Sequence, residues 1–274
     1  MVILEPCAGL GNRLLAMASA HEVCRALNRE LVIVWKREAG CNAKASDLFT
    51  FNGVRVIEIS ENGYRKDFFG TIKGNIIKKK YRNKGTVFFP CEKIDAYKQK
   101  GQFEELKERI AGEPVCYIKS YTNLCALSKE SFAFLKPSLA IEQKGRAVFA
   151  ALNENTIGVH IRRTDHADAI KHSPLELFYE RMEQEIAAHD ANFYVTTDDA
   201  KVEDALRARF APERLVFYEG KLLDRDSKAG IEDALIDMLA LSRCNKILGS
   251  YQSTFSLIPS IMGGIPLETM ALAE

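Results

Sequence analysis

The 274-residue chain contains no run of about 18 uncharged apolar residues, so no membrane-spanning helix is predicted. Residues 1–6 lack the basic n-region and the long apolar h-region of a secretory signal peptide. The 38 Lys and Arg nearly balance the 37 Asp and Glu. That balance gives no overall attraction to nucleic acid or to an anionic membrane. We therefore expect a soluble, cytoplasmic protein without a nucleic-acid partner.

The cysteines lack the spacings of a cross-linked or metal-bound scaffold. There are seven, an odd number, and no two have C-x-x-C spacing. This argues against a disulfide framework and against a zinc site. Cys116, in an apolar run, is expected to pack as a small hydrophobe. With 47% hydrophobic and 27% charged residues, the chain has the composition of an ordinary globular protein, and a reducing compartment fits it best.

One stretch departs from the even charge distribution. Six basic residues lie between Lys73 and Lys84. Such a run is typical of a solvated loop or helix face. The alternative is a weak contact with a membrane surface or an anionic glycan.

The beginning of the chain predicts a strand, a glycine turn, a helix and a second strand. The apolar run 2–4 is followed by Gly9-Leu-Gly-Asn12, a helical pattern over 13–27 and the buried-strand composition of 31–35. This is the start of a βαβ fold. Leu14 stands where the third glycine of G-x-G-x-x-G would be, so a dinucleotide-dependent oxidoreductase is disfavoured.

The second half of the chain alternates regularly between strands and helices. Predicted strands over 156–161, 192–196, 214–218 and 245–248 are each followed by a helix, over 174–189, 200–209, 231–243 and 254–262. Ser173 is the expected N-cap of the first of these helices. Four such units indicate a parallel sheet with helices on both faces. We predict an α/β protein with two Rossmann-like domains, residues 1–145 and 146–274.

Polar clusters follow three of these strands. They are His160 to Asp165, Thr196 to Asp199, and Gly249 to Thr254. Ligands of open α/β sheets bind outside the carboxyl ends of the strands. Because parallel strands end at the same edge, the three clusters predict one site.

The residue types suit a nucleotide with a diphosphate. Arg162 and Arg163 can bind phosphate oxygens bidentately. Ser253 and Thr254 begin a helix, whose free N–H groups favour an anion. Asp198 and Asp199 can accept hydrogen bonds from a base edge or a ribose hydroxyl.

At these residues the sequence resembles the inverting fucosyltransferases that make α1,2-, α1,6- and protein O-linked fucose. Four motifs carry the resemblance, in order along the chain: Gly9-Leu-Gly-Asn-Arg-Leu14, His160-Ile-Arg-Arg-Thr-Asp165, Tyr194-Val-Thr-Thr-Asp-Asp199 and Ser250-Tyr-Gln-Ser-Thr-Phe-Ser256. The Arg-Arg-Thr-Asp form and the Asp-Asp pair look nearest to the α1,6 branch, which includes the bacterial nodulation enzymes.

The resemblance implies a GT-B fold with GDP-fucose held by the C-terminal domain and the acceptor by the N-terminal domain. It also implies a glycosyltransferase of the hexosyltransferase class that needs no metal or other cofactor. Arg162 would bind the β-phosphate and stabilise the leaving group, and Asn12 would line the sugar pocket. We count Asp165 as a third catalytic candidate from its position beside this motif, not from the resemblance. The substrate-binding residues would be Gly11, Arg13, His160, Arg163, Asp198, Asp199, Ser253, Thr254 and Phe255.

The sequence departs from the α1,6 pattern just after this motif. His166 and Ile170 stand where that branch has a lysine and a glutamate, so the catalytic base does not carry over. Asp165, His166 and Asp168 are the nearby candidates. The D-x-D triplet at Asp224 to Asp226 could bind a metal ion, but we interpret it as a solvated loop and predict no metal site there.

Plainer roles stay open for most of these residues. Arg162 could be an ion-pair partner of Asp165, and His160 a hydrogen-bonded core histidine. Asp165 could only orient Arg162, and one of Asp198 and Asp199 could be a helix cap. The alternatives to fucose transfer are a glycosyltransferase that uses another nucleotide sugar and a non-catalytic nucleotide- or glycan-binding protein of the same fold.

Overall fold

We analysed a computed structural model of the chain, which describes residues 1–60, 68–81, 85–164 and 167–272. The chain divides into two compact units. The first unit comprises Met1–Ala140 and Asp224–Glu232, and the second comprises Ile141–Leu223 and Asp233–Glu274. The predicted division after residue 145 did not include the return of 224–232 to the first unit.

The first unit contains a five-stranded parallel sheet. Its strands are β1 (Val2–Pro6), β2 (Leu31–Arg37), β4 (Arg55–Ser60), β5 (Thr86–Phe89) and β6 (Val115–Ser120), in the order β4-β2-β1-β6-β5. The connecting helices are α1 (Leu10–Ala26), α2 (Ala45–Leu48), α3 (Phe68–Tyr81), α4 (Cys91–Gln99) and α5 (Phe103–Ala111). Two short antiparallel strands, β3 (Phe49–Phe51) and β7 (Leu135–Pro137), form a separate ribbon.

The second unit contains the other five-stranded parallel sheet. Its strands are β8 (Thr156–Ile161), β9 (Asn192–Thr197), β10 (Leu215–Phe217), β11 (Ile247–Ser250) and β12 (Leu267–Met270). Its helices are α6 (Leu139–Ala150), α7 (Ala167–His172), α8 (Leu175–His189), α9 (Ala200–Arg209), α10 (Lys228–Leu241) and α11 (Thr254–Gly263). Two of the three unit boundaries fall within α6 and α10, and the third lies between Leu223 and Asp224, before α10 begins.

The order β10-β9-β8-β11-β12 is the doubly wound Rossmann arrangement. The predicted fold class, α/β with two Rossmann-like domains, is confirmed. All four predicted β-then-α units are present, with ends displaced by three residues at most. The N-cap of α8 is Pro174, so the prediction of Ser173 as the cap is wrong.

The apolar character of the central strands explains why they could be predicted. Every residue of β8 is buried, and alternate residues Ile157, Val159 and Ile161 pack with Phe178 and Met182 of α8. Strands covered on both faces read as continuous apolar runs. The helices that follow cover one of those faces.

Gly249 in β11 lets α11 approach the sheet closely. A Cβ built on Gly249 would lie 2.6 Å from the Cβ and Oγ of Ser256 and 2.8 Å from Leu267 Cδ1. These are impossible contacts for a real Cβ, and the strand and helix are both packed. The glycine is therefore required by packing.

We predict that Gly249→Ala lowers the free energy of unfolding by about 1–3 kcal/mol, the usual cost of overpacking. Urea denaturation measures the change. Gly112→Ala is the matched control, because its added Cβ would meet only ordinary contacts, the nearest at 3.6 Å. If the two variants are equally stable, α11 moves away from the added Cβ at little cost and the prediction is wrong.

Candidate functional site

The strand order of the second unit creates a crevice between β8 and β11. These strands are neighbours, yet the chain continues from β8 toward β9 on one side and from β11 toward β12 on the other. This is the topological switch point at which open α/β sheets bind their ligands. Residues 162–164 leave β8 there, and residues 251–253 leave β11.

Ser250 joins the ends of the two strands. Its hydroxyl donates to the carbonyl oxygen of His160 at 3.2 Å and accepts from the backbone N–H of Arg162 at 3.0 Å. Because Ser250 is buried, water competes little for these bonds. The hydroxyl therefore fixes the path of the chain as it enters Arg162.

Asp198 holds the next two residues of the same loop. Its Oδ1 accepts from the backbone N–H of Arg163 at 2.6 Å, and its Oδ2 accepts from the Oγ1 of Thr164 at 2.7 Å and its N–H at 3.3 Å. Asp199 instead is the N-cap of α9, where its Oδ1 accepts from Lys201 N–H at 2.9 Å. Asp198 therefore fixes the loop after β8, whereas Asp199 caps α9.

We predict that Asp198→Asn lowers the free energy of unfolding by about 1–3 kcal/mol, because the amide nitrogen cannot accept the bonds from Thr164. Asp199→Asn is the matched control and should change stability little, since Asn caps helices as well as Asp does. Urea denaturation of both variants tests the difference. A larger loss in the Asp199 variant would contradict the assigned roles.

His160 is a buried residue held from two sides. Its Nδ1 lies 2.7 Å from the Oγ of Ser256, and its ring stacks on Phe255 with centroids 4.9 Å apart. Burial, together with the charge of Arg162, lowers its pKa to about 3. The imidazole is therefore neutral at physiological pH. It can accept or donate a hydrogen bond, but its lowered pKa is unsuited to proton transfer near neutral pH.

We predict a pH effect on stability that comes from His160. Below its ordinary pKa of 6.5, the unfolded chain takes up a proton that the folded protein refuses down to about pH 3, so stability falls as the pH drops. Between pH 7 and pH 5 the wild type should lose about 2 kcal/mol more than His160→Asn. Urea denaturation at both pH values measures this. Equal losses would show that His160 takes up its proton in the folded state.

The two arginines of the predicted motif have different surroundings. Arg163 donates from its guanidinium to the carbonyl oxygens of Arg162 at 2.8 Å and of Ser173 at 2.7 Å. Desolvation lowers its pKa, which is the mark of a partly buried cation. Arg163 thus braces the loop. Arg162 is half-buried, and its backbone is fixed by Ser250.

The start of α11 presents a buried hydroxyl group to which no described residue forms a hydrogen bond. Ser253 is the N-cap of this ten-residue helix, but its side chain makes no capping bond. It is 7% exposed, and among the described residues its Oγ has no hydrogen-bond partner. Its N–H donates to Ser250 O at 3.3 Å, which connects it to the β8 loop. An orphan hydroxyl at a helix N-terminus is a suitable anion site.

In the first unit, Gly11 and Asn12 lie in the first turn of α1, Gly11 buried and Asn12 half-buried. The expectation that Arg13 faces a ligand is corrected. Arg13 is 0% exposed, and its guanidinium donates to Ala8 O at 2.8 Å, Lys36 O at 2.7 Å and Glu38 Oε1 at 2.7 Å. Its charge is balanced inside the unit, and its bond to Ala8 stabilises the turn that precedes α1.

Arg13 belongs to a buried charged cluster that the sequence motifs do not indicate. Lys36 lies 2.5 Å from Glu38 Oε2 and 4.0 Å from Glu5 Oε1. The hydroxyl of Tyr117 donates to Glu5. Two positive and two negative charges thus balance at the ends of β1 and β2. Charge alternation across two strands, Glu5 with Lys36 and Glu38, was the available signal.

A second cluster missed from the sequence lies behind β9 in the second unit. Asp237 of α10 accepts from the hydroxyls of Tyr194 and Thr196, the latter at 2.8 Å, and from Lys221 Nζ at 3.2 Å. The side chains of both Asp237 and Lys221 are buried. The spacing of Asp233 and Asp237 within an apolar helix was the available signal, because buried carboxylates need partners.

Two of the predicted sites need separate comment. Asp165 and His166 lie outside the described residues. The loop Asp224 to Asp226 is exposed and belongs to the first unit, where Asp226 Oδ1 accepts from Gly40 N–H at 3.0 Å. In the parts of the chain that the structure describes, no cluster of three His, Cys, Asp or Glu could hold a metal, and no helix is long and apolar enough to cross a membrane.

The structure is similar to solved structures of fucosyltransferases. No protein-family model and no curated sequence matches the chain. NodZ from Bradyrhizobium is similar over 95% of this chain and 93% of its own, with TM-score 0.61 and 19% identity. POFUT1 in complex with GDP is similar over 99% and 98%, with TM-score 0.54 and 14% identity.

A third structure, a mutant of Arabidopsis thaliana FUT1 in complex with GDP, is similar over 100% of this chain and 70% of that chain, with TM-score 0.62 and 14% identity. A structure of NodZ α-1,6-fucosyltransferase soaked with GDP-fucose also matches, at 21% identity and TM-score 0.61. The fold of the chain is thus similar to that of solved fucosyltransferases, as the resemblance of the motifs predicts.

Proposed function

We propose that the chain is an inverting fucosyltransferase that transfers fucose from GDP-fucose to a hydroxyl of a glycan. The observation that supports this most is the orphan Ser253 hydroxyl at the N-terminus of α11, joined through Ser250 to the loop of Arg162. A helix N-terminus and a guanidinium together suit a diphosphate. The similar structures of NodZ, POFUT1 and FUT1, solved with GDP or GDP-fucose, support the choice of nucleotide.

In the proposed reaction the acceptor oxygen attacks the anomeric carbon of fucose from the face opposite GDP. The bond between that carbon and the β-phosphate oxygen breaks, so negative charge builds on the diphosphate. Arg162, the Ser253 hydroxyl and the positive end of the α11 dipole would stabilise that charge. These groups supply positive charge without a metal ion, so we propose that none is required. The acceptor's proton leaves to a base, for which Asp165 is the candidate.

His160 would contribute to nucleotide binding and not to proton transfer. Its pKa of about 3 keeps the ring neutral. A neutral imidazole held by Ser256 and Phe255 can form a directed hydrogen bond with a base or ribose without charge repulsion from Arg162. Asp198 would act indirectly, by keeping the β8 loop in place.

The experiment combines nucleotide binding with transfer. GDP at 100 times its Kd should stabilise the protein by about 2.7 kcal/mol in a thermal-shift measurement. Arg162→Ala should lower kcat for fucose transfer from GDP-fucose by about 10²–10³-fold. Arg146→Ala, an exposed arginine of α6, is the matched control and should keep full activity. Activity in EDTA should equal that without it.

Three outcomes would contradict the proposal in different ways. Stabilisation by UDP, CDP or ADP but not by GDP would indicate another nucleotide sugar. GDP binding without transfer or donor hydrolysis would indicate a nucleotide-binding protein. Activity lost in EDTA and restored by manganese would indicate a metal-dependent mechanism.

A further inference from the structure

The helix α3 has an unusual charge composition. It contains four lysines, Lys73, Lys78, Lys79 and Lys80, and no acidic residue, in a chain whose charges otherwise nearly cancel. The described side chains Lys73, Lys79 and Lys80 are all exposed. Nothing in the proposed transfer reaction uses this helix, which lies in the first unit.

One face of α3 is fixed against β4 and its neighbours. Gly74 is buried, and a Cβ built on it would meet Ile59 at 3.5 Å. Tyr81 is buried in the cluster formed by β1, β2, β4 and β6, and Ile77 packs against the same cluster. The hydroxyl of Tyr81 also accepts from Arg55. These contacts decide which side of the helix faces outward.

The outward face combines aliphatic and basic side chains. Ile76 is 60% exposed and Ile72 is 40% exposed, one turn apart on the same side of the helix. At about 100° per residue, Lys79 lies on one flank of this pair, and Lys80 and Lys73 lie on the other. An apolar centre with lysines on both flanks is the pattern of a helix that lies in a membrane interface.

We propose that α3 binds the surface of an anionic lipid bilayer. Ile72 and Ile76 would enter the boundary between headgroups and acyl chains, and Lys73, Lys79 and Lys80 would reach lipid phosphates. The lysine stems can lie along the apolar region while the ammonium groups stay at the phosphates. This attachment is peripheral and goes beyond the proposed transfer reaction.

The exposed isoleucines favour lipid over a nucleic acid or a free anionic polysaccharide. Those polyanions would engage the lysines but would leave two branched aliphatic side chains in water. A lipid surface accepts both components of the face, because the interface offers phosphates above an apolar layer. The chemistry of the pair Ile72 and Ile76 therefore decides the choice.

The test is co-sedimentation of the full chain with vesicles of phosphatidylglycerol and phosphatidylcholine, compared with phosphatidylcholine alone. We expect binding to the anionic vesicles that weakens as salt rises. Each lysine near the surface should contribute about fivefold in affinity. Lys73→Glu, Lys79→Glu and Lys80→Glu combined should therefore lower vesicle affinity by at least about 100-fold. Ile72→Ser with Ile76→Ser should weaken binding while the net charge is unchanged.

Matched controls separate the helix from general charge and hydrophobicity. Lys100→Glu, Lys129→Glu and Lys136→Glu combined change the net charge equally at exposed positions elsewhere, and should keep binding. Leu139→Ser with Leu223→Ser removes two other exposed aliphatic side chains and should also keep it. Circular dichroism of each variant verifies folding.

Two results would overturn the proposal. In one, the anionic vesicles fail to sediment the wild type at low salt. In the other, binding is unaffected by the serine pair, while heparin or single-stranded DNA competes fully, which would indicate a simple polyanion surface. Because the assay contains no nucleotide sugar, neither result bears on fucose transfer. Loss of transfer with vesicle binding intact would, conversely, count only against the proposed reaction.

Discussion

The carboxylate of Asp198 is the constraint on which the candidate site depends. Strand β8 ends at Ile161, and beyond it the backbone has no sheet partner. Asp198 replaces that partner by accepting from the N–H groups of Arg163 and Thr164. A carboxylate accepts stronger hydrogen bonds than a neutral carbonyl oxygen, so the loop is held firmly although Thr164 is exposed. Arg162 lies between this clamp and Ser250, and its position is set from both sides.

Both units use a buried polar cluster to support their sheet edge. In the first unit Arg13, Lys36, Glu5 and Glu38 balance one another beside the glycine loop, and in the second unit Lys221 and Asp237 do so behind β9. Removing one partner of such a cluster leaves an uncompensated buried charge, at a cost of about 3–5 kcal/mol. The clusters therefore commit each edge to a single arrangement. That rigidity suits a site which must present fixed donors to a developing charge.

How much could be predicted from the sequence differs between fold and site. The alternation of strands and helices could be predicted, because strands buried on both faces contain continuous apolar runs such as 31–35. The polar residues that follow the strands could be predicted to form one site, because parallel strands end at the same edge of the sheet. The burial of Arg13 could not be predicted, since its partner Glu38 is 25 residues away, just beyond the end of β2. The return of Asp224–Glu232 to the first unit depends on contacts such as Lys228 with Asp47, which no local pattern reveals.

The two doublets show why a motif alone does not assign roles at such an edge. Arg162 and Arg163 are chemically identical, as are Asp198 and Asp199, yet successive residues of an extended chain point in opposite directions. Arg163 is therefore turned toward Ser173 and Asp199 toward the first turn of α9. The chemistry of a doublet indicates that a charge is needed, while the direction of the preceding strand decides which member supplies it. The contacts of Arg163 and Asp199 at this edge are with the fold, so of the two arginines it is Arg162 that we propose for the diphosphate, on a loop that Asp198 keeps in place.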